Sequence, residues 1–304
     1  MSGAHAVLVF NSDGEVRLGD LVWRLGAVVS RSVGVWARKT LRRLRPAQPP
    51  TLVDIPDQTA GPGREQKIPR VVYQTAETRL THPTHAKSIH EFRALNPDLS
   101  FHVFDKEKRD QYMAEHWSHH DIHKIYQRAI FGQMKADIFR YCIIYDKGGY
   151  YIDYNKGATT PLTQLHEPHS EGVVSYETHV ELLFPPPDVA NSLSQPTNLV
   201  MQWFFAFRPK HPLLAIAISN IVDIEPFFRD VVFHRPKSAL LAMTGPGLFT
   251  SVFRCYVAEH GTAGIHEAGV DLQGTGLFRL RGSKFLTTRD AYYGSLRHQI
   301  IIAS

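Results

Sequence analysis

Strands that alternate with helical stretches, and a double glycine that ends one helix and opens the next strand, predict an α/β protein with an open, mostly parallel sheet flanked by helices. With 304 residues, 43% apolar and 21% charged, the chain can bury a sizeable core. Cys142 and Cys255 sit in apolar runs without a nearby partner, which excludes a disulfide framework or a CxxC knuckle and favours a reducing compartment.

The elements follow in order. Ala6 to Phe10 has strand character, and a turn at Asn11 to Gly14 leads into a helical stretch. There Leu18, Leu21, Val22, Leu25, Val28, Val29, Val33 and Trp36 recur at helical spacing, while Arg24, Arg31, Arg38, Lys39, Arg42, Arg43 and Arg45 add positive charge. Such a helix, over residues 17–45, suits either contact with an anionic membrane surface or packing on the main domain with a solvated basic end. Residues 46–66 are rich in proline and glycine and form a linker or an extended surface segment; 67–304 form the main domain. IPRVVYQT predicts a buried strand, HAKSIHEFRALNPDL a helix stopped at Asn96-Pro97, and SFHVFD a strand ending at Asp105. EKRDQYMAEHW and Gln133 to Tyr145 predict two more helices, and Tyr150 to Asp153 a strand. Further on, NLVMQWFFAFRPKHPLLAIAISNIV predicts a strand, a proline turn and a helix, and AMTGPGLFTSVFRCYVAEHG a Gly-Pro turn opening another helix.

A net charge of +5 and a pI near 9.1 fit nucleic acid, an anionic membrane or phosphate-bearing small molecules. The basic charge gathers near the N-terminal helix and no nucleic-acid readout motif accompanies it, so no nucleic-acid partner is expected. No uncharged apolar run approaches the roughly 20 residues that span a bilayer, and MSGAHAVLVF lacks a signal peptide's basic start and cleavage site. The expected location is cytoplasmic, with peripheral attachment to the cytoplasmic membrane face if residues 17–45 lie on lipid.

The chemistry concentrates in KADIFRYCIIYDKGGYYIDYN. Asp137, Arg140, Tyr141 and Ile144 stand at i, i+3, i+4 and i+7, along one side of a helix. Tyr151 and Asp153 share one face of the next strand, and Asp153 emerges at its carboxyl end, where open α/β sheets bind ligands. Asp153 and Asn155 are oxygen donors suited to a hard divalent cation, although Asp and Asn also commonly form a plain turn. Arg140 reads either as a ligand contact or as the ion-pair partner of Asp137 one turn away, and both can hold. A second cluster, His116, His119, His120 and His123, has helical spacing that could hold zinc, but no acidic support is evident, and a polar helix face is preferred.

On these residues the chain resembles the glycosyltransferases with a DXD-containing sugar-binding region, family 32. IPRVVYQT resembles their first strand and KADIFRYCIIYDKGGYYID their helix, double glycine and DXD strand; NLVMQWFFAFRPKHPLL and MTGPGLFT are similar to later blocks. The resemblance implies a GT-A type fold, a nucleotide-sugar donor (UDP- or GDP-sugar), Mn²⁺ or Mg²⁺ as cofactor, and transfer with retention to a hydroxyl of a glycan or lipid-linked acceptor in cell-surface polysaccharide or glycolipid synthesis. It implies donor contacts at Gln74, Thr75, Asp137, Arg140, Tyr151, Asp153, Gly245 and Pro246, and metal contacts at Asp153, Asn155 and, from the late segment, His298. Lys156 is expected to lend charge to the diphosphate. Asn155 departs from the usual second Asp: it keeps an oxygen and drops a charge, so weaker metal binding is expected. No nucleophile is assigned; Glu177 is the candidate catalytic or acceptor-side acid, against a plain surface acid, which is preferred. The alternative function is a non-catalytic nucleotide-sugar or carbohydrate binder of the same fold.

Overall fold

The structure, a computed structural model, describes residues 51–180, 184–283 and 296–304, with the side chains of 179 and 180 left aside. The expectations for residues 1–45, and for the first residues of the 46–66 segment, lie outside the described residues. The unit formed by Thr51–Ser304 is therefore described alone.

The chain enters through β1 (Val53–Asp54), β2 (Val71–Thr75), β3 (Leu80–Thr81), α1 (Pro83–Ala94), β4 (Ser100–Phe104), α2 (Lys106–Trp117) and α3 (Asp121–Arg128). It continues through α4 (Gly132–Lys147), β5 (Gly149–Ile152), β6 (Gly157–Ala158), β7 (Gly172–Val180), α5 (Pro187–Ser192), β8 (Asn198–Val200) and β9 (Phe204–Phe207). The last elements are α6 (Pro212–Ile224), α7 (Pro236–Met243), α8 (Pro246–His260), β10 (Ile265–Val270) and β11 (Gly276–Leu277).

The central sheet has the order β10-β7-β9-β5-β2-β4, with β8 added to β7. β2 pairs in parallel with β4 and β5, and β10 in parallel with β7, while β9 runs antiparallel between β5 and β7. Five of the seven strands thus run one way, since β8 also opposes β7. This is the mostly parallel, helix-flanked sheet the sequence predicts. One stretch differs: NLVMQWFFAF forms two strands, because Met201 to Trp203 break out of the ladder and only Phe204–Phe207 return to pair with β5.

Both faces are covered, which explains why the central strands β5 and β9 are apolar and buried throughout. Tyr151, Phe205 and Phe207 point into the core beneath α4, α6 and α8, whereas Tyr150, Ile152, Phe204 and Ala206 point into the opposite core with Val72, Phe101 and Phe92. The turn from α4 to β5 depends on glycine. Gly148 and Gly149 have φ of +66° and +100°, and a Cβ on Gly149 would lie 2.5 Å from the Val71 carbonyl oxygen. β5 is therefore pressed against β2, and Asp153 is delivered to the carboxyl edge.

Residues 51–66 lie along this domain as extended chain. β1 pairs with β3, Gln58 exchanges backbone bonds with Phe101, and Arg64 donates to the carbonyl oxygen of His166 at 2.8 Å. Among the described residues no helix is long and apolar enough to cross a membrane.

Candidate active site

The site grows from α4. A 16-residue helix with few polar interruptions buries itself against the sheet, and two of its polar residues, Asp137 and Arg140, go in with it. A charge can be taken inside only when paired and hydrogen-bonded, and Arg140 meets that condition on all sides. Its guanidinium bridges Asp137 Oδ1 at 3.0 Å and Asp153 Oδ1 at 3.2 Å. It also donates to the Gln202 carbonyl oxygen and to Gln202 Oε1, both at 3.0 Å, and lies 4.6 Å from the centre of the Tyr151 ring. Of the two readings of Arg140 from the sequence, the ion pair with Asp137 is present, and a second one joins Arg140 to the strand-end carboxylate of Asp153.

A polar shell holds the bridge. Thr244 Oγ1 donates to Asp137 Oδ2 at 3.0 Å, and Tyr141 donates to the Thr244 carbonyl oxygen at 3.0 Å. Gln202 Nε2 donates to the Tyr141 hydroxyl and the Thr244 carbonyl oxygen, each at 2.9 Å. Burial pushes the Asp137 carboxyl up to about 6, against the pull of Arg140 and Thr244. Burial also holds the Tyr151 phenol well above its usual value, so it stays protonated and donates to Asp153 Oδ1 at 3.1 Å.

Past the strand, the chain turns at Asp153 to Lys156, with the Lys156 N–H donating to the Asp153 carbonyl oxygen at 2.8 Å. Lys156 is buried, its ammonium 3.1 Å from the Phe278 ring centre and 5.2 Å from that of Trp203. Burial pulls its pKa down to about 8, with Asp153 and Glu177 opposing that shift.

Asn155 Oδ1 is buried with no donor, a state that costs free energy unless something supplies a positive partner. Both donors to Asp153 reach the same oxygen, Oδ1. An unpartnered amide oxygen two residues from a carboxylate is a hard-donor pair that fits a divalent cation, short of a complete cage. Among the described residues no cluster of three His, Cys, Asp or Glu side chains forms. His298 in particular is exposed and sits beside His234, with ring nitrogens 3.1 Å apart.

The other expected positions divide. Gln74 is buried at the carboxyl end of β2 with Oε1 unpartnered, free to meet a ligand. Thr75 is spent on structure: it donates to the Phe104 carbonyl oxygen at 2.8 Å and accepts from Arg109 at 3.2 Å. Gly245 and Pro246 open α8 directly after Thr244, so they adjoin the Asp137 shell. Glu177 lies on β7, half-buried, its carbonyl oxygen taken by Asn198. Gln202, Trp203 and Thr244 were missed as site residues. Asn or Gln beside a strand carries no periodic signal, and Thr244 was visible only as the residue before Gly-Pro.

The fold and this edge define an α/β protein whose charged, buried network faces the carboxyl ends of parallel strands, where such sheets bind ligands. Residues 83–170 match the family described as "Glycosyltransferase sugar-binding region containing DXD motif", a span that holds Asp137, Arg140, Tyr151, Asp153, Asn155 and Lys156. The chain is 28% identical over 174 residues to Inositol phosphoceramide mannosyltransferase 1 of Schizosaccharomyces pombe, covering 56% of this chain and 48% of that one. It is 24% identical over 202 residues to the Initiation-specific alpha-1,6-mannosyltransferase of Candida albicans, covering 60% and 51%. A solved structure, PaToxG Glycosyltransferase, aligns with a TM-score of 0.44 at 14% identity, over 65% of this chain and 72% of that one. The matched region and these curated relatives are those of glycosyltransferases. The chain spans about half the length of these curated relatives.

Proposed function

We propose that the protein transfers a sugar from a UDP- or GDP-sugar to a hydroxyl of a glycan or lipid-linked acceptor, with retention of configuration. The observation that carries the reading is Arg140, a buried cation bridging Asp137 and Asp153 at the carboxyl edge of the sheet. With its N–H groups taken by Ala136, Gln202, Asp137 and Asp153, the guanidinium holds the Asp153 carboxylate in place, so that this carboxylate needs no reorganisation when a ligand arrives. Gln74 and Asn155 add acceptor oxygens that lack partners. Lys156, its ammonium 3.1 Å from the Phe278 ring centre, would lend positive charge to the diphosphate.

Asp153 and Asn155 would hold Mn²⁺ or Mg²⁺, which when bound would neutralise charge on the leaving diphosphate. The chain's own contribution is positional. Asp137 and Tyr151 orient Arg140, Gln202 and Thr244 fix Asp137, and Trp203 with Phe278 keeps water from Lys156. Departure and attack on the same face of the sugar, supported by such electrostatics, need no protein nucleophile, and none is assigned.

Donor hydrolysis without acceptor tests this reading. Wild type should release nucleotide from one UDP- or GDP-sugar in Mn²⁺, slowly in excess chelator, and Asp153→Ala should release none. Equal rates in Mn²⁺ and chelator would remove the metal role. Tight donor binding without release would favour the non-catalytic binder.

A further inference from the structure

β5 leaves α4 through Gly148, so the first turn of α4 lies at the carboxyl edge that carries Asp153. β9 runs the opposite way, so α6, which follows it, ends at that same edge. Between these two helix ends lies the C-terminal tail. Ile302 pairs with Ala129 on one side and with Arg229 on the other, Ile130 donates to the Ile301 carbonyl oxygen at 3.1 Å, and Phe233 exchanges backbone bonds with Gln299. Neighbouring strand-like segments lie roughly 5 Å apart, so the Ile130 and Phe227–Phe233 segments flank the tail within about 10 Å of each other.

The segment after α6 sorts its apolar residues by direction. Phe228 and Phe233 turn inward, rings 5.5 Å apart, and pack against the main core. Phe227 and Val232 turn outward, 77% and 62% exposed, and Ile130 and Val231 are exposed beside the same tail. Arg128, Arg229, Arg235, Lys237 and Arg297 stand on the same paired segments of chain or next to them. Glu225 is buried between Arg128, at 3.1 Å, and Arg229, while Asp230 accepts from the Ser304 N–H at 3.0 Å and from its hydroxyl; with the exposed Asp223 these are three acids against the five cations.

We propose that this face docks on an anionic membrane surface. Single aromatic and aliphatic side chains projecting from a basic rim suit the boundary between headgroups and acyl chains, where apolar tips enter and guanidinium groups stay with phosphate. A second copy of the chain fits less well, because a two-fold pairing would set the same basic rim against itself. Docking in this way turns the carboxyl edge toward lipid, so the acceptor at Asp153 would be lipid-linked. That last step rests on the transferase reading; the docking itself does not.

The basic helix expected at residues 17–45 can also attach the full chain to vesicles, so the test reads the patch locally. An environment-sensitive fluorophore is placed on Val232→Cys in a Cys255→Ser background and, as control, on the exposed Cys255 of wild type. With two-to-one phosphatidylcholine–phosphatidylserine vesicles, the label at position 232 should brighten several-fold and shift blue, and the label at Cys255 should not. Phosphatidylcholine alone should give little change. Adding Phe227→Ser should weaken the response roughly tenfold, the scale of losing one buried aromatic side chain. No response at position 232, or an equal response at Cys255, overturns the proposal. A response that rises with protein concentration in the absence of lipid assigns the face to a second copy and overturns it as well. Donor hydrolysis in solution should be unchanged by Phe227→Ser, so loss of docking is distinguishable from failure of the transferase reading.

Discussion

Two stretches of this chain carry polar side chains at helical spacing, and the fold treats them in opposite ways. Asp137, Arg140 and Tyr141 lie within one unbroken helix and are buried together. His116, His119, His120 and His123 do not share a helix: α2 ends at Trp117, and His120 caps α3 by accepting the Ile122 N–H at 3.1 Å. His116 lies against the Tyr112 ring, and His123 is buried by itself on α3. Spacing alone is therefore weak evidence of a site. What separates the two is burial with partners: every charge in the first set meets an opposite charge or a donor from β5, from Gln202 or from Thr244, whereas in the second His116 reaches only Asp146, at 4.0 Å, on an open cavity that His119 and His120 also line.

The largest effect should come from breaking the first set at its centre. Arg140→Met leaves Asp137 and Asp153 without their shared cation and should cost about 3–5 kcal/mol in denaturant unfolding, together with loss of donor binding. A cost comparable to a surface substitution would show that the network contributes little to stability.

The histidines that do matter for stability lie elsewhere. His85, His166 and His211 are buried, and burial pulls each down to about 4. They stay neutral in the folded protein, while the unfolded chain takes up their protons below about 6.5. Stability should be full above that pH and fall as pH drops toward 4. His211 caps α6 by accepting the Leu213 N–H at 3.3 Å, a task asparagine can perform. His211→Asn should remove about 1.4 kcal/mol per pH unit from that slope. An identical slope in the variant and the wild type would mean that burial does not set these protonation states.

Restoring a second carboxylate sharpens the site itself. Asn155→Asp should tighten Mn²⁺ binding roughly tenfold, read by calorimetry, because ligand charge tunes affinity at oxygen sites. Unchanged affinity would place the cation away from residue 155. The smallest effect is expected in the histidine cluster: His116→Ala with His119→Ala should change stability by no more than about 0.5 kcal/mol and should not alter donor hydrolysis.

Much of this contrast was legible beforehand, for particular reasons. The α4 helix, the Gly148-Gly149 exit and the emergence of Asp153 follow from periodicity, left-handed backbone and strand alternation, all of which are local. The shell around Asp137 was not legible, because Gln202 and Thr244 come from more than 60 residues away and only packing brings them in. β7 and β10 were missed for a similar reason. VVSYETH and IHEAGV are short and partly polar, and they become strands by pairing with each other in parallel across some 90 residues. Thr75 was named only through the family resemblance, and nothing in the sequence announces the partners its hydroxyl has in Phe104 and Arg109.

The central claim, that a nucleotide sugar binds at the Asp153 edge, is tested most directly by thermal denaturation across a panel of UDP- and GDP-sugars with and without Mn²⁺. A ligand that binds only the folded state raises Tm by mass action. At least one donor should raise the Tm of wild type in Mn²⁺ and leave that of Asp153→Ala where it was. A flat panel, or the same rise in Asp153→Ala, would contradict the account.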